Sequence, residues 1–319
     1  MVLLSCQTKK QSNTEVRCAF SADSAYTYID QQVAFGARVP GSDEHKECGD
    51  WLEGQLIRHG AQVKSQYGKM INYAGQAQPL RNIMAYIEGN TPNAILLCAH
   101  WDCRPWSDEE EEYDNRFTPV IGANDGASGV AVILEIIRQL SIRKAKGEFI
   151  PTVQVLFFDC EDMGTPSHFT GSQRDHTWCL GSQFWAKEYQ QTKLNSPHSI
   201  PAIQYGILLD MVGDPSATFP REYFSVQYAN SQLEQIWRTA SRLGYGRYFI
   251  NHQVYPITDD HYYVNTIAGI PCVDIIDYKP NTETGFADWW HTQQDDMRNI
   301  NKQTLQAVGE TVLTTICSR

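Results

Sequence analysis

The chain is predicted to fold as an α/β domain, an open, doubly wound and mostly parallel sheet flanked by helices. Three observations predict it. Short apolar runs recur at Ala94 to Ala99 (AILLCA), Thr152 to Phe158 (TVQVLFF), Ala202 to Leu209 and Pro271 to Ile276, the make-up of strands covered on both faces. Helical patterns alternate with these runs, the order that gives crossover connections and a parallel sheet. Finally, a histidine or carboxylate stands where a strand yields to a loop, or in a turn, in five stretches. They hold His100 and Asp102, Asp125, Glu161 and Asp162, Asp210, and His291. In such sheets ligands collect at the carboxyl ends of strands.

Each element has its own signal. Residues 1–22 read as the remnant of a lipoprotein signal and a polar tether, and 23–319 as a single domain. Ser21 or Ser24 caps a helix over Ala25 to Ala34, and Ser42 caps the next, with Asp43 and Glu44 in its first turn and Gly60 ending it. Gln62 to Ser65 and Arg81 to Glu88 read as strands. Asp125 lies in a glycine- and serine-rich turn, GANDGASG, at the entrance to the apolar run Val130 to Ile137. Residues 163 to 180 form a long loop, and loops of that length are often functional. Helices are expected over Gly181 to Tyr189, Ser231 to Leu243 and Asn301 to Cys317.

Composition excludes several classes. The 319 residues carry a net charge of -11 and no basic stripe, which argues against nucleic acid as a partner. An apolar stretch of the ~20 residues that span a bilayer is absent. The nine cysteines form no CxxC pair, so a structural zinc knuckle is not expected. Cys103 and Cys179 flank the expected site mouth and are a candidate disulfide. Leu3-Leu4-Ser5-Cys6 resembles a lipobox, which implies an exported, periplasmic or membrane-anchored lipoprotein held through Cys6. The acidic run Asp108 to Glu112 reads as a solvated loop. A phosphate-binding loop and a serine-hydrolase elbow are both missing.

Histidine and carboxylate donors with an open position suit catalytic zinc, and a neighbouring carboxylate can move protons. Taken in order, ARVPGS (37–42), AHWD, NDGASGVA, LFFDCED, LLDMVGD, TDDH and WWHT resemble the M28 family of zinc peptidases, and within it the glutaminyl cyclases. The resemblance implies the zinc exopeptidase fold and residue roles. Asp125, Asp162 and His291 would hold zinc, and Glu161 would be general base and acid. His100 and Asp210 match the ligands of a second ion in the two-zinc aminopeptidases, and Asp102 would orient His100. Asp260, or the adjacent Asp259, would join an acid network with Glu161 and Asp210. Trp290 matches the tryptophan walling the cyclase pocket, with Trp178 or Phe169 as the opposite wall. Asp162 stands where animal cyclases have Glu. The activity implied is conversion of amino-terminal glutamine of peptides and proteins to pyroglutamate with loss of ammonia, by a monomer with one zinc. The alternative is a two-zinc aminopeptidase.

Overall fold

The computed structural model describes residues 17–196 and 202–318. The lipobox and Cys6 lie outside them. Arg17 to Ser21, expected within the tether, already pack on the domain. Arg17 pairs with Glu310, and Phe20 fills the space that a side chain at Gly309 would occupy.

The elements follow in the order α1 (Ala22–Val33), α2 (Asp43–Arg58), β1 (Gln62–Ile71), β2 (Ala77–Ile87), β3 (Ala94–His100), α3 (Ala127–Ala145), β4 (Thr152–Phe158), α4 (Leu180–Asn195), β5 (Ile203–Asp210), β6 (Phe219–Arg221), α5 (Tyr223–Leu243), β7 (Phe249–Gln253), α6 (Asp260–Tyr263), β8 (Cys272–Ile276) and α7 (Lys302–Cys317). A six-stranded sheet has the order β1-β2-β4-β3-β5-β8. Strands β4, β3, β5 and β8 run parallel, and β2 is antiparallel to both β1 and β4. Strands β6 and β7 form a small separate pair.

Period-two alternation builds the two layers. On β3, Leu97 faces one core with Val155, Phe157, Ile207 and Leu209, covered by α1, α3 and α7. Leu96 and Cys98 face the other with Leu156, Phe158 and Leu208, covered by Trp185 and Ala186 of α4. Both faces of the middle strands are therefore buried, which is why they read as unbroken apolar runs. Truncating Leu97 to alanine would cost about 2–5 kcal/mol.

Several expected boundaries move. The β1–β2 hairpin is longer than its apolar core, because its outer half is an edge whose burial only partly alternates. The Ser21 hydroxyl, rather than Ser24, caps α1, accepting from the Ser24 N–H at 3.2 Å. Ser42 caps α2 by accepting from the His45 N–H at 3.1 Å. Helix α5 begins at Tyr223, eight residues before the expected start (231 − 223), with non-helical backbone at Ala229. That break and the aromatic-rich first turns hide its period. Among the described residues, no helix is long and apolar enough to cross a membrane.

Candidate metal centre

The sheet brings the five stretches to one edge. His100 ends β3, Asp210 ends β5, and Glu161 and Asp162 follow β4. Asp125 precedes α3 in a turn whose Gly126 adopts φ +95°, and a Cβ there would meet the Asp102 carbonyl at 2.5 Å. Only glycine fits so close an approach at that φ. His291 lies in the connection between β8 and α7 with φ 54°, and Cys160 and Met211, beside Glu161 and Asp210, also have positive φ. Such backbone clusters where side chains must be aimed.

Two donor triads share Asp125. His100, Asp125 and Asp210 form one, and Asp125, Asp162 and His291 the other, each with donor atoms mutually within 4.8 Å. His291 Nε2 lies 3.1 Å from Asp162 Oδ1 and 3.6 Å from Asp125 Oδ2. His100 Nε2 lies 2.9 Å from Asp125 Oδ1 and 3.3 Å from Asp210 Oδ1. The Asp102 carboxylate sits behind His100, 3.5 Å from Nδ1. It accepts from the N–H groups of Glu161 (3.1 Å) and Asp162 (3.2 Å), so it also fixes the acid pair.

The residues fit a zinc ion. His100 Nδ1 and Nε2 and Asp210 Oδ1 lack a hydrogen bond of proper geometry, although the His100 nitrogens have carboxylate oxygens at 2.9–3.5 Å, and buried polar groups left in this way call for a further partner. Burial, then the Asp162 charge, pushes the Asp125 carboxyl up, and burial raises that of Asp210 as well. Crowded buried carboxylates of this kind are relieved by a cation. Nitrogen and carboxylate oxygen donors suit zinc.

Asp125, Asp162, Asp210, His291 and Glu161 line a cavity of about 790 Å³, with Trp178 and Trp290 in its walls. His100, 2% exposed, stands behind this lining. The Trp290 indole stacks on the His291 ring, centroids 3.4 Å apart, and Trp178 lies parallel to the same ring at 6.0 Å. Trp178 rather than Phe169 therefore shares the cavity with Trp290. Burial pushes the Glu161 carboxyl well above the usual range, with Asp162 and the Asp259–Asp260 pair adding and His100 opposing. For Asp162 burial acts in the same direction, but His291 and Arg104 outweigh it and hold the carboxyl at about 2. Neighbouring carboxyls held in opposite protonation preferences are suited to separate tasks, one binding and one exchanging a proton.

Of the TDDH acids, Asp259 lines the cavity and offers an oxygen within 4.8 Å of Glu161 and Cys179. Asp260, the first of the two in the sequence reading, is fully buried, absent from the lining, and both its carboxylate oxygens lack a hydrogen bond. The Asp259 side chain caps α6, accepting from the Asp260 N–H, so the two carboxyls diverge.

Other residues carry the site without having been singled out. Buried Arg104 makes a bidentate pair with Asp108, both contacts at 2.6 Å. It also donates to the Asp162 carbonyl at 3.0 Å and lies over the Trp178 ring at 4.6 Å. Asp108, expected in a solvated run, is 3% exposed and faces His291 Nδ1 at 3.6 Å. The rest of that run is solvated, with Glu109, Glu111 and Glu112 exposed and Glu110 half-buried. Asp295 accepts from the N–H groups of Asn124 (2.8 Å) and Asp125 (3.0 Å) and clamps the Asp125 turn. Cys103 and Cys179 are buried thiols, not a disulfide. Cys179 instead donates to Glu161 Oε1 at 3.0 Å.

Comparison with known proteins places this geometry. A glutaminyl cyclase of Tannerella forsythia superposes with a TM-score of 0.87 at 47% identity, covering 94% of this chain and 99% of that one. A Zn-dependent exopeptidase of Parabacteroides distasonis gives the same TM-score at 46% identity, covering 95% and 100%. The glutaminyl-peptide cyclotransferase of Bos taurus is 23% identical over 251 residues, 72% of this chain and 63% of that protein. The chain thus spans a little under two thirds of that curated relative. Residues 82–316 match the model of Peptidase family M28, and with that stretch holding the paired acids and both donor triads, the chain belongs to peptidase family M28.

Proposed function

We propose that the protein is a glutaminyl-peptide cyclotransferase, converting amino-terminal glutamine to pyroglutamate with release of ammonia. The observation that carries this reading is the aromatic lining. Trp290 and Trp178, both parallel to the His291 ring, line the same cavity as Glu161 and give it flat walls suited to a planar amide side chain. Peptide and protein amino termini are the substrates. The neighbouring cyclase at 47% identity supports the same activity, and the lipobox-like start fits work on exported peptides.

Asp125, Asp162 and His291 would hold one zinc ion, since all three face the cavity while His100 stands behind it. Bound there, zinc supplies a Lewis acid that polarises the substrate γ-carbonyl. Glu161 takes a proton from the attacking α-amine and delivers it to the leaving amide nitrogen, a role that its raised affinity for a proton suits. Asp259 holds the departing nitrogen, because its carboxylate opens on the cavity near Glu161. The tryptophans fold the glutamine side chain back toward its own α-amine and keep water out. Proximity of that kind is worth up to several kcal/mol of barrier.

One observation favours a second reading, a two-zinc aminopeptidase. The His100–Asp125–Asp210 triad is complete, and its imidazole nitrogens face carboxylates without a well-formed hydrogen bond. Incubation of the purified protein with glutamine-initiated and leucine-initiated peptides separates the two readings, when ammonia, free amino acid and zinc content are followed. Ammonia with one zinc per chain is expected. Leucine release without ammonia, with two zinc ions, would replace the cyclase by the aminopeptidase.

A further inference from the structure

A second buried polar cluster lies behind the wall that carries Asp259. Its hub is Glu222, which caps α5 and is fully buried. Glu222 Oε1 accepts from the N–H groups of Phe224 (2.8 Å) and Ile257 (3.2 Å). Its Oε2 accepts from the Ser225 N–H (2.7 Å) and hydroxyl (3.0 Å) and faces His261 Nε2 at 2.9 Å. His261 is fully buried too, with Nδ1 3.4 Å from Asp274 Oδ2. Asp274 ties β8 into the same cluster, its N–H donating to the Ser225 hydroxyl at 2.9 Å.

One of the groups held by Glu222, the Ile257 N–H, belongs to the cavity wall. Residues 256–259 supply Pro256, Ile257, Thr258 and Asp259 to the lining and belong to no strand or helix. Glu222 grips that irregular segment at Ile257 N–H and, through His261, at the helix that Asp259 caps. A buried polar pair of this kind contributes little net stability, because desolvation cancels most of the attraction. What the pair does supply is a fixed geometry for a segment that lies outside every strand and helix.

We infer that Glu222 and His261 are positioning residues, which hold the 256–259 wall and the Asp259 carboxylate against Glu161. The inference rests on the cyclase reading for the identity of the reaction, and on the hydrogen bonds alone for the positioning. Glu222→Gln must turn an amide nitrogen toward groups that now donate to it, so the wall shifts. Misplacement of about 1 Å can cost around 10²-fold in rate.

The test compares Glu222→Gln, His261→Gln and Asp274→Asn with the parent, measuring kcat and KM for a glutamine peptide, zinc content and Tm. A control, Glu310→Gln, breaks another buried acid hub, that of α7 with Arg17, Tyr245 and Gln306. Glu222→Gln is expected to lower kcat roughly 10- to 100-fold, with KM changed less and zinc retained. His261→Gln, which keeps a donor for Glu222, should recover part of the loss, and Glu310→Gln should lower Tm without lowering kcat. If Glu222→Gln does not fold, a kcat for His261→Gln below the parent's and Glu310→Gln's carries the inference. Equal kcat in parent and both Glu222 and His261 variants overturns it, as does a kcat loss in Glu310→Gln that tracks Tm in the same way. Asp259, His261 and Asp274 also bring donors within 4.8 Å, so loss of an ion with Asp274→Asn would make the cluster a metal site and overturn the inference. A parent that releases leucine and no ammonia defeats only the cyclase reading. The same kcat comparison then runs on leucine release.

Discussion

The Cys179 thiol donates to Glu161 Oε1 at 3.0 Å, and the Cys179 backbone N–H donates to the Glu161 carbonyl at 2.9 Å. The far end of the long loop after β4 is thus pinned onto the acid that begins it. Burial, with the Glu161 charge adding, pushes the Cys179 thiol well up, which favours the protonated thiol that donates here. Glu161 is thereby aimed at the cavity rather than at the protein interior.

Glu161→Gln keeps the shape and the Cys179 contact but cannot shuttle a proton. Activity should fall by ~10²–10⁴-fold with zinc content unchanged. Steady-state kinetics with metal analysis checks this. Activity within about threefold of the parent, with zinc retained, would remove Glu161 from the proton path.

The two triads make different predictions for their histidines. His291→Ala should lose zinc, because His291 is the nitrogen donor of the cavity-facing triad. His100→Ala should retain one ion, since His100 belongs only to the other triad. Atomic absorption on both variants decides. Two ions in the parent, one of them lost with His100, would favour the aminopeptidase.

Trp290→Ala removes from the cavity wall the indole stacked on His291. Cyclisation of glutamine peptides should drop by roughly 10²-fold or more with zinc still bound. In an aminopeptidase, the same truncation would shift preference among apolar residues by only ~1–3 kcal/mol. Ammonia and leucine release by parent and variant tell these apart.

A pH effect on stability is expected away from the metal ligands, at Asp277. Burial pushes its carboxyl up to about 6, although Lys279 pulls the other way. Its unfolded value is near 3.9. Because the folded value is the higher one, the stabilising contribution is present below about pH 3.9 and is lost as pH rises through 6. Asp277→Asn stays neutral, so its stability relative to the parent should rise by about 2 kcal/mol between pH 4 and pH 7. Urea midpoints of both proteins at the two pH values measure it. A difference that does not move with pH, or moves the other way, would show that burial is not what governs this carboxyl.

The strands β3, β4, β5 and β8 were legible because both their faces are buried, which leaves an unbroken apolar signature in one dimension. His100, Glu161, Asp162 and Asp210 were legible for a related reason: a polar residue at or just after the end of such a run must emerge at the sheet edge, whereas Asp125 and His291 stood in turns. The family resemblance carried by the ordered motifs implied separate roles, Asp125, Asp162 and His291 as binding residues and Glu161 as proton carrier. Three-dimensional neighbours were not legible. Asp108 reads as one more acid in a charged run, and only the fold sets it against Arg104 and His291. Asp295 clamps a turn 170 residues away, and Glu222 reaches Ile257 and His261 from the cap of a helix whose first turns show no clear period. The choice between Asp259 and Asp260 belongs to the same class, because adjacent residues entering a short helix point apart, and only packing says which one meets the cavity. Local pattern therefore determined the sheet and the chemistry of its edge. The tertiary structure decided the orientation of each donor, since hydrogen bonds between residues distant in sequence leave no periodic trace in it.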